Sequence, residues 1–477
     1  MLNQTKLFQK STLLITLTLL TTSVFAGDET PAITQSNLSI PAANGASNAD
    51  ILRQLRQDMV SQKINVFRST VRTTTKTKTF FARLVSSSAN PIDAELLRDM
   101  NQFTLQYLAL PETAEVFHLT ALVQQRSENY SAAALNWLLV QVIYPDSPFA
   151  IEAAKQLKEL SNDTLKKQSV LLSNMAKTIT TLNGNRDQRL ATFLQYLGKL
   201  NDDSFAPAIM AMGESFLIAN ESFLKEDLIE HAIARQAMLV DNQIAIYHFN
   251  RLLAFYPDST LRGDSFWSLG TLQRKGTKQF DLAAKNFSKV IEQYPESQEA
   301  KFAIEALAQM YAEDMNDFPN ALKTYQVIIT KYNTDPLVLR SLSSMALIYQ
   351  NKTNEPAKAI NSYLKIADLF KGGEALDALI KAEKIAVTST KNWQQAIEIN
   401  NRIIALVPTT EESAKALYTN GEIAEYKLND KEMAKKYYAD LIARQPGHAL
   451  AKEANDKLNT LAPTSATTAK TPVIKSQ

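Results

Sequence analysis

Over residues 243–458 the apolar positions recur at helical spacing, and the recurrence has a fixed period. In residues 281–294, Ala283, Phe287, Val290, Ile291 and Tyr294 fall on one side of a helix with polar residues between them. The same stripe is written six times, marked by Ala245, Ala283, Ala321, Ala359, Ala396 and Ala434, which follow one another at 38 residues except for one interval of 37. Four positions after each alanine stands an aromatic (Phe249, Phe287, Tyr325, Tyr363, Tyr438), with Asn400 as the exception. Twelve positions after it come Pro257, Pro295, Pro408 and Pro446, with Asn333 and Lys371 in the other two copies. The pattern predicts a helix that ends at the proline, which lacks the amide hydrogen and restricts the residue before it. Ser147, Ser259 and Ser297, each two residues beyond a proline (Pro145, Pro257 and Pro295), are suited to capping the next helix.

That next helix also carries a small residue at a set place. Gly270, Ala308, Ala346 and Gly421 each lie 13 residues before the following alanine, and the copy around Lys384 breaks the rule. A small side chain lets the partner helix approach, and the aromatic fills the space beside it. A fixed period of this length is the mark of a solenoid, in which each hairpin of helices covers its neighbour.

The paired small residues, the aromatic and the closing proline resemble the tetratricopeptide repeat family, whose period is about 34 residues. The 37–38-residue spacing and the Tyr-Pro-Asp-Ser and Tyr-Pro-Glu-Ser junctions are similar to the longer repeats of bacterial envelope proteins. Examples are the tetratricopeptide lipoprotein of the outer-membrane barrel assembly machine and the periplasmic Tol–Pal cell-division coordinator. The resemblance implies an all-α fold, a solenoid of helix–turn–helix repeats forming a right-handed superhelix. It also implies a protein-binding role in the inner groove.

The rest of the chain divides around this array. Residues 1–26 read as a signal peptide: Lys6 and Lys10, an apolar stretch, then Val24-Phe25-Ala26 as a cleavage site. The apolar run is shorter than the about 20 residues of a spanning helix. Residues 27–50 are polar and aperiodic, a tether. Residues 51–91 form an N-terminal helical segment, and 69–79 within it is rich in Thr and Lys. Residues 92–242 hold irregular repeats with additional helices, over 164–182 and 221–240. Residues 243–461 are the six regular repeats and a capping helix from Ala449, and 462–477 form a disordered tail. The destination expected from this layout is the periplasm.

Charge and composition narrow the function. Loss of Lys6 and Lys10 takes the 51 basic residues to 49, equal to the 49 acidic ones. A neutral chain offers no electrostatic case for nucleic acid or anionic lipid. There is no cysteine, hence no disulfide, thiolate metal site or lipid-bearing N-terminal cysteine, and membrane association is expected only through partners. The four histidines, His118, His231, His248 and His448, lack second ligands at metal spacing, and no glycine-rich phosphate loop is present, so no cofactor is expected. His248 reads as a partly exposed helix residue.

Gly213-Glu214-Ser215-Phe216 is similar to the Glu-Ser pair of lytic transglycosylases, where the glutamic acid protonates the leaving oxygen. The Gly-Leu-Met-Gln stretch that should follow is absent, and Glu221-Ser222 repeats the dipeptide seven residues on. The expectation is therefore a non-enzymatic scaffold that captures a peptide or helix of another cell-envelope protein. An outer-membrane, cell-division or polysaccharide-export assembly is the setting. A peptidoglycan-acting enzyme on a solenoid platform and a glycan-binding accessory subunit are the alternatives. The polar residues of the first helices expected to face the groove are Asp264, Ser268, Gln273, Glu305, Gln309, Asn420 and Glu425.

Overall fold

A computed structural model describes residues 48–76, 91–219, 221–333 and 335–461. The residues read as a signal peptide, most of those read as a tether, and those read as a C-terminal tail lie outside the described residues. The chain forms two units, divided between Met59 and Val60. The described part of the first is helical, residues 48–59, and the second contains the solenoid.

Among the described residues there are α-helices and helical turns and no strands. The helices are α1 (Asn48–Lys76), α2 (Pro91–Tyr107), α3 (Thr113–Arg126), α4 (Tyr130–Ile143), α5 (Pro148–Asn162), α6 (Ser169–Thr180), α7 (Arg186–Lys199), α8 (Ala206–Ala219), α9 (Glu226–Ala237), α10 (Asn242–Phe255), α11 (Arg262–Thr271), α12 (Phe280–Gln293), α13 (Gln298–Gln309), α14 (Phe318–Tyr332), α15 (Pro336–Asn351), α16 (Pro356–Leu369), α17 (Gly373–Ile385), α18 (Trp393–Leu406), α19 (Glu411–Tyr426), α20 (Lys431–Arg444) and α21 (Ala449–Leu461). The Thr/Lys-rich stretch continues α1 as far as Lys76.

From α9 onward each helix packs on the next, as an α-solenoid requires. All six marker alanines are fully buried, as are the aromatics Phe249 and Tyr438. Burying one such ring stabilises by about 1.5–3 kcal/mol. Gly270 shows why the small slot is small: a Cβ there would lie 2.7 Å from the Phe287 ring. Ser147 and Ser297 cap α5 and α13 through their side-chain oxygens. Ser259 instead sits before the turn, accepting from the Leu261 amide and donating to Asp227.

The turn between the two helices of a hairpin holds a residue of positive φ at a fixed place. Lys278, Asn316, Asn354, Lys391 and Asn429, again 38 or 37 apart, all take positive φ. In three copies the first helix also ends in a π turn, Leu272–Gly276, Met310–Asp314 and Ala386–Thr390. A π turn absorbs one extra residue without breaking the helix.

The middle of the chain departs from the expected layout. Of the helices expected over 164–182 and 221–240, the structure forms the shorter α6 and α9, with a 3₁₀ turn at Lys166–Gln168. Ala232 of α9 lies 13 residues before Ala245, and α9 packs on α10. So α9 is the first helix of the first regular repeat, not an additional one. The inserted helix is α8, which packs on α9 and also reaches back to α2 and α4. Gly213 permits this: a Cβ there would meet Ile233 of α9 at 2.5 Å.

Candidate interaction surface

With the interlocking positions accounted for, one face of the first helices remains. Take the small slot of each as zero. Positions −6, −3 and +1 lie on one side of a helix. In α11 they are Asp264, Trp267 and Thr271; in α13, Phe302, Glu305 and Gln309; in α15, Arg340, Ser343 and Leu347; in α17, Asp377, Ile380 and Lys384; in α19, Lys415, Tyr418 and Glu422. Each of these five helices places one large apolar side chain on this face and surrounds it with polar ones, whereas in α9 the matching Ile229 and Ile233 are fully buried. Phe302, Leu347 and Ile380 are 42, 50 and 39 % exposed, and Trp267 and Tyr418 are half-buried. Packing therefore leaves apolar side chains of these helices uncovered.

Between α11 and α13 this face opens into a hollow of about 660 Å³. Its floor is aromatic. Trp267 lies 5.4 Å from Phe287 and 6.0 Å from Phe302 between ring centres, each pair tilted by 41°. Glu305 and Gln309 lie on its wall. Glu305 is held by both arms of Arg340 at 2.8 and 3.2 Å. That link uses the hydrogen bonds to hold the guanidinium above the usual arginine range, burial working against it. Arg274 contacts Asp314 at 2.6 Å and Glu313 at 3.6 Å.

Of the seven polar residues expected in the groove, several instead tie helices together. Ser268, Gln273 and Asn420 are buried in the interior, which corrects their placement. Ser268 accepts from Arg235, Gln273 accepts from Asn286, and Asn420 accepts from Asn400 while donating to Asn401. Asp264 is bound to His231 at 2.5 Å, and although burial opposes it, that partner holds the carboxyl below the usual aspartate range. Glu425 accepts from the Tyr438 hydroxyl at 3.0 Å, and burial, reinforced by this contact, pushes the phenol far above its usual range. Glu305 and Gln309 are the two that line the hollow. The apolar members of the same face were missed because residue polarity was read as exposure. The signal that could have found them is their register against the small slot.

A second polar cluster closes the joint between α8, α9 and α10. His248 is buried, not partly exposed as its position suggested. Its Nδ1 lies 2.6 Å from fully buried Glu230, and its Nε2 lies 3.0 Å from Glu214. Arg251 approaches Glu230 at 3.0 Å without the alignment of a hydrogen bond. Burying such groups is costly unless they are paired, and here each lies against another polar group of the cluster. Glu214, the residue that would act as general acid, is thus engaged with His248, and Gly213 beside it is a packing glycine. Among the described residues no group of three acidic or histidine side chains could hold a metal ion, and no helix is long and apolar enough to cross a membrane.

A family model described as a tetratricopeptide repeat matches residues 264–297, which span α11 and α12. No curated protein sequence matches the chain. Among solved structures, the C-terminal part of a TPR repeat-containing protein from Cytophaga hutchinsonii is 17 % identical, over 55 % of this chain and 98 % of its own, with a TM-score of 0.34. Yeast Tom70 is 13 % identical over 86 % and 93 % with a TM-score of 0.22, and human IFIT1, solved as a dimer with PPP-AAAA, 14 % over 78 % and 86 % with 0.24. The hairpin over residues 264–297 is thus similar to a tetratricopeptide repeat, and five other hairpins of this all-α solenoid repeat its spacing.

Proposed function

We propose that this chain is a non-catalytic interaction scaffold of the bacterial cell envelope, exported to the periplasm. It holds a peptide or helical segment of another envelope protein along the first-helix face. The observation that carries the reading is the row of apolar side chains at one register of successive first helices, of which Phe302, Leu347 and Ile380 are exposed. Interfaces concentrate their energy in a few apolar and aromatic anchors set among polar groups, and a row of anchors at repeat spacing suits an amphipathic ligand. The N-terminal basic and apolar residues support export, and the long repeat period supports an envelope role in assembly of an outer-membrane, cell-division or polysaccharide-export complex.

A photo-crosslinking residue placed at Leu347 or Ile380 in living cells tests this. It should trap a defined envelope protein, whereas the same residue at Val327, equally exposed but on a second helix, should not. Equal products from both faces, or products with cytoplasmic proteins alone, contradict the proposal.

A further inference from the structure

We propose that the hollow between α11 and α13 selects an acidic peptide segment bearing a bulky apolar side chain; this deepens the scaffold reading and rests on it. The apolar part follows from the floor. Trp267, Phe287 and Phe302 line it, and Phe302 is 42 % exposed, so an inserted side chain would cover aromatic surface now in contact with water. The acidic part follows from which charges on the rim are already matched. Each carboxylate lining the hollow has a cation: Glu305 has Arg340, and Asp314 and Glu313 share Arg274. Lys275 and Lys278 line the same hollow, are exposed, and among the described residues have no ion-pair partner. With Arg340 included, four cations face three carboxylates, and the two lysines are the cations of this rim that no carboxylate engages.

Position strengthens the case. Lys275 lies in the π turn Leu272–Gly276 and Lys278 is the positive-φ residue of the hairpin turn, so the backbone brings both to one edge. The two other π turns, Met310–Asp314 and Ala386–Thr390, contain no lysine. A lysine recurs at the positive-φ position in one other copy, Lys391, but the pair of lysines belongs to this hollow. An ammonium group beside a carboxylate at an exposed site adds modest affinity but sets partner choice and arrival rate. Tilted rings suit an inserted side chain better than a sugar, which needs a flat open platform, so a peptide is favoured over an anionic glycan.

The test uses the purified full-length chain and fluorescence anisotropy at low salt. The probes are a labelled peptide with a central phenylalanine flanked by glutamates, its glutamine counterpart, and oligogalacturonate as competitor. The glutamate peptide should bind about tenfold tighter than the glutamine one. K275E/K278E should abolish that preference while its circular dichroism stays unchanged, and F302A should weaken both peptides. Equal binding of the two peptides, a preference that survives K275E/K278E, or binding of oligogalacturonate in place of peptide would each overturn the proposal. If Leu347 still traps an envelope protein in cells while the peptides fail here, the scaffold reading stands and this ligand assignment falls. Peptide selection without trapping at Leu347 has the opposite meaning.

Discussion

Two joints of the same array solve one packing problem in different ways. Between α11 and α12, Gly270 makes room for the Phe287 ring, and the contact is wholly apolar. Between α17 and α18 the corresponding slots hold Glu383 and Asn400. Asn400 is buried and donates to Asn420 at 2.9 Å, and Asn420 donates to Asn401 at 3.2 Å, which also meets the Tyr437 hydroxyl at 3.3 Å. Burial pushes the Glu383 carboxyl up, partly offset by its hydrogen bond with Asn400. The lesson is that the small and aromatic positions change together. Once the ring is lost, the vacated slot accepts a larger polar residue, and the buried polar groups must then satisfy one another.

The largest effect should come from breaking the apolar joint. Phe287→Ala removes the ring that fills the Gly270 slot and should cost about 3–5 kcal/mol, read by denaturant unfolding, with hydrogen exchange rising first in α11 to α13. Gly270→Val forces a side chain against Phe287 and should cost about 1–3 kcal/mol. A loss no larger than that of an exposed substitution would show that the interlock is not what holds the hairpin.

The polar joint can be converted. Glu383→Ala or Asn400→Tyr alone should destabilise, since each strands a buried partner. E383A/N400Y recreates the Ala346–Tyr363 arrangement and should exceed the parent by about 1 kcal/mol. Purely additive single effects would deny that the two positions are coupled.

The same joint has a pH signature. A carboxyl raised above its ordinary value of 4.5 binds its proton more tightly when folded. Its favourable contribution is therefore fully present below that value and is lost as pH rises through the folded value. Glu383→Gln should raise the melting temperature at neutral pH, and the advantage should fade as pH falls below 4.5. Asp264 works in the opposite sense. Its carboxyl is held below 3.8, so what it adds is present above that value and is lost as pH falls through the folded value.

Much of this architecture was legible before any coordinates. The alanine–aromatic register, the closing prolines and the final helix Ala449–Leu461 follow from helical spacing and from the backbone limits of proline. The face that remains after packing was not legible. First helices are covered on more than one side, so polar residues such as Ser268, Gln273 and Asn420 are drawn inside and bonded, while Leu347 and Ile380 are left in water. Nor could α9 be recognised as a regular first helix, because α8 is inserted directly before it and blurs the period.

The most direct test of the central claim is a pair of readings on L347A/I380A. The apolar row serves a partner and not the fold, so the unfolding free energy should stay within about 0.5 kcal/mol of the parent while trapping of the envelope partner from the first-helix face is lost. A marked fall in stability, or undiminished trapping, would contradict it.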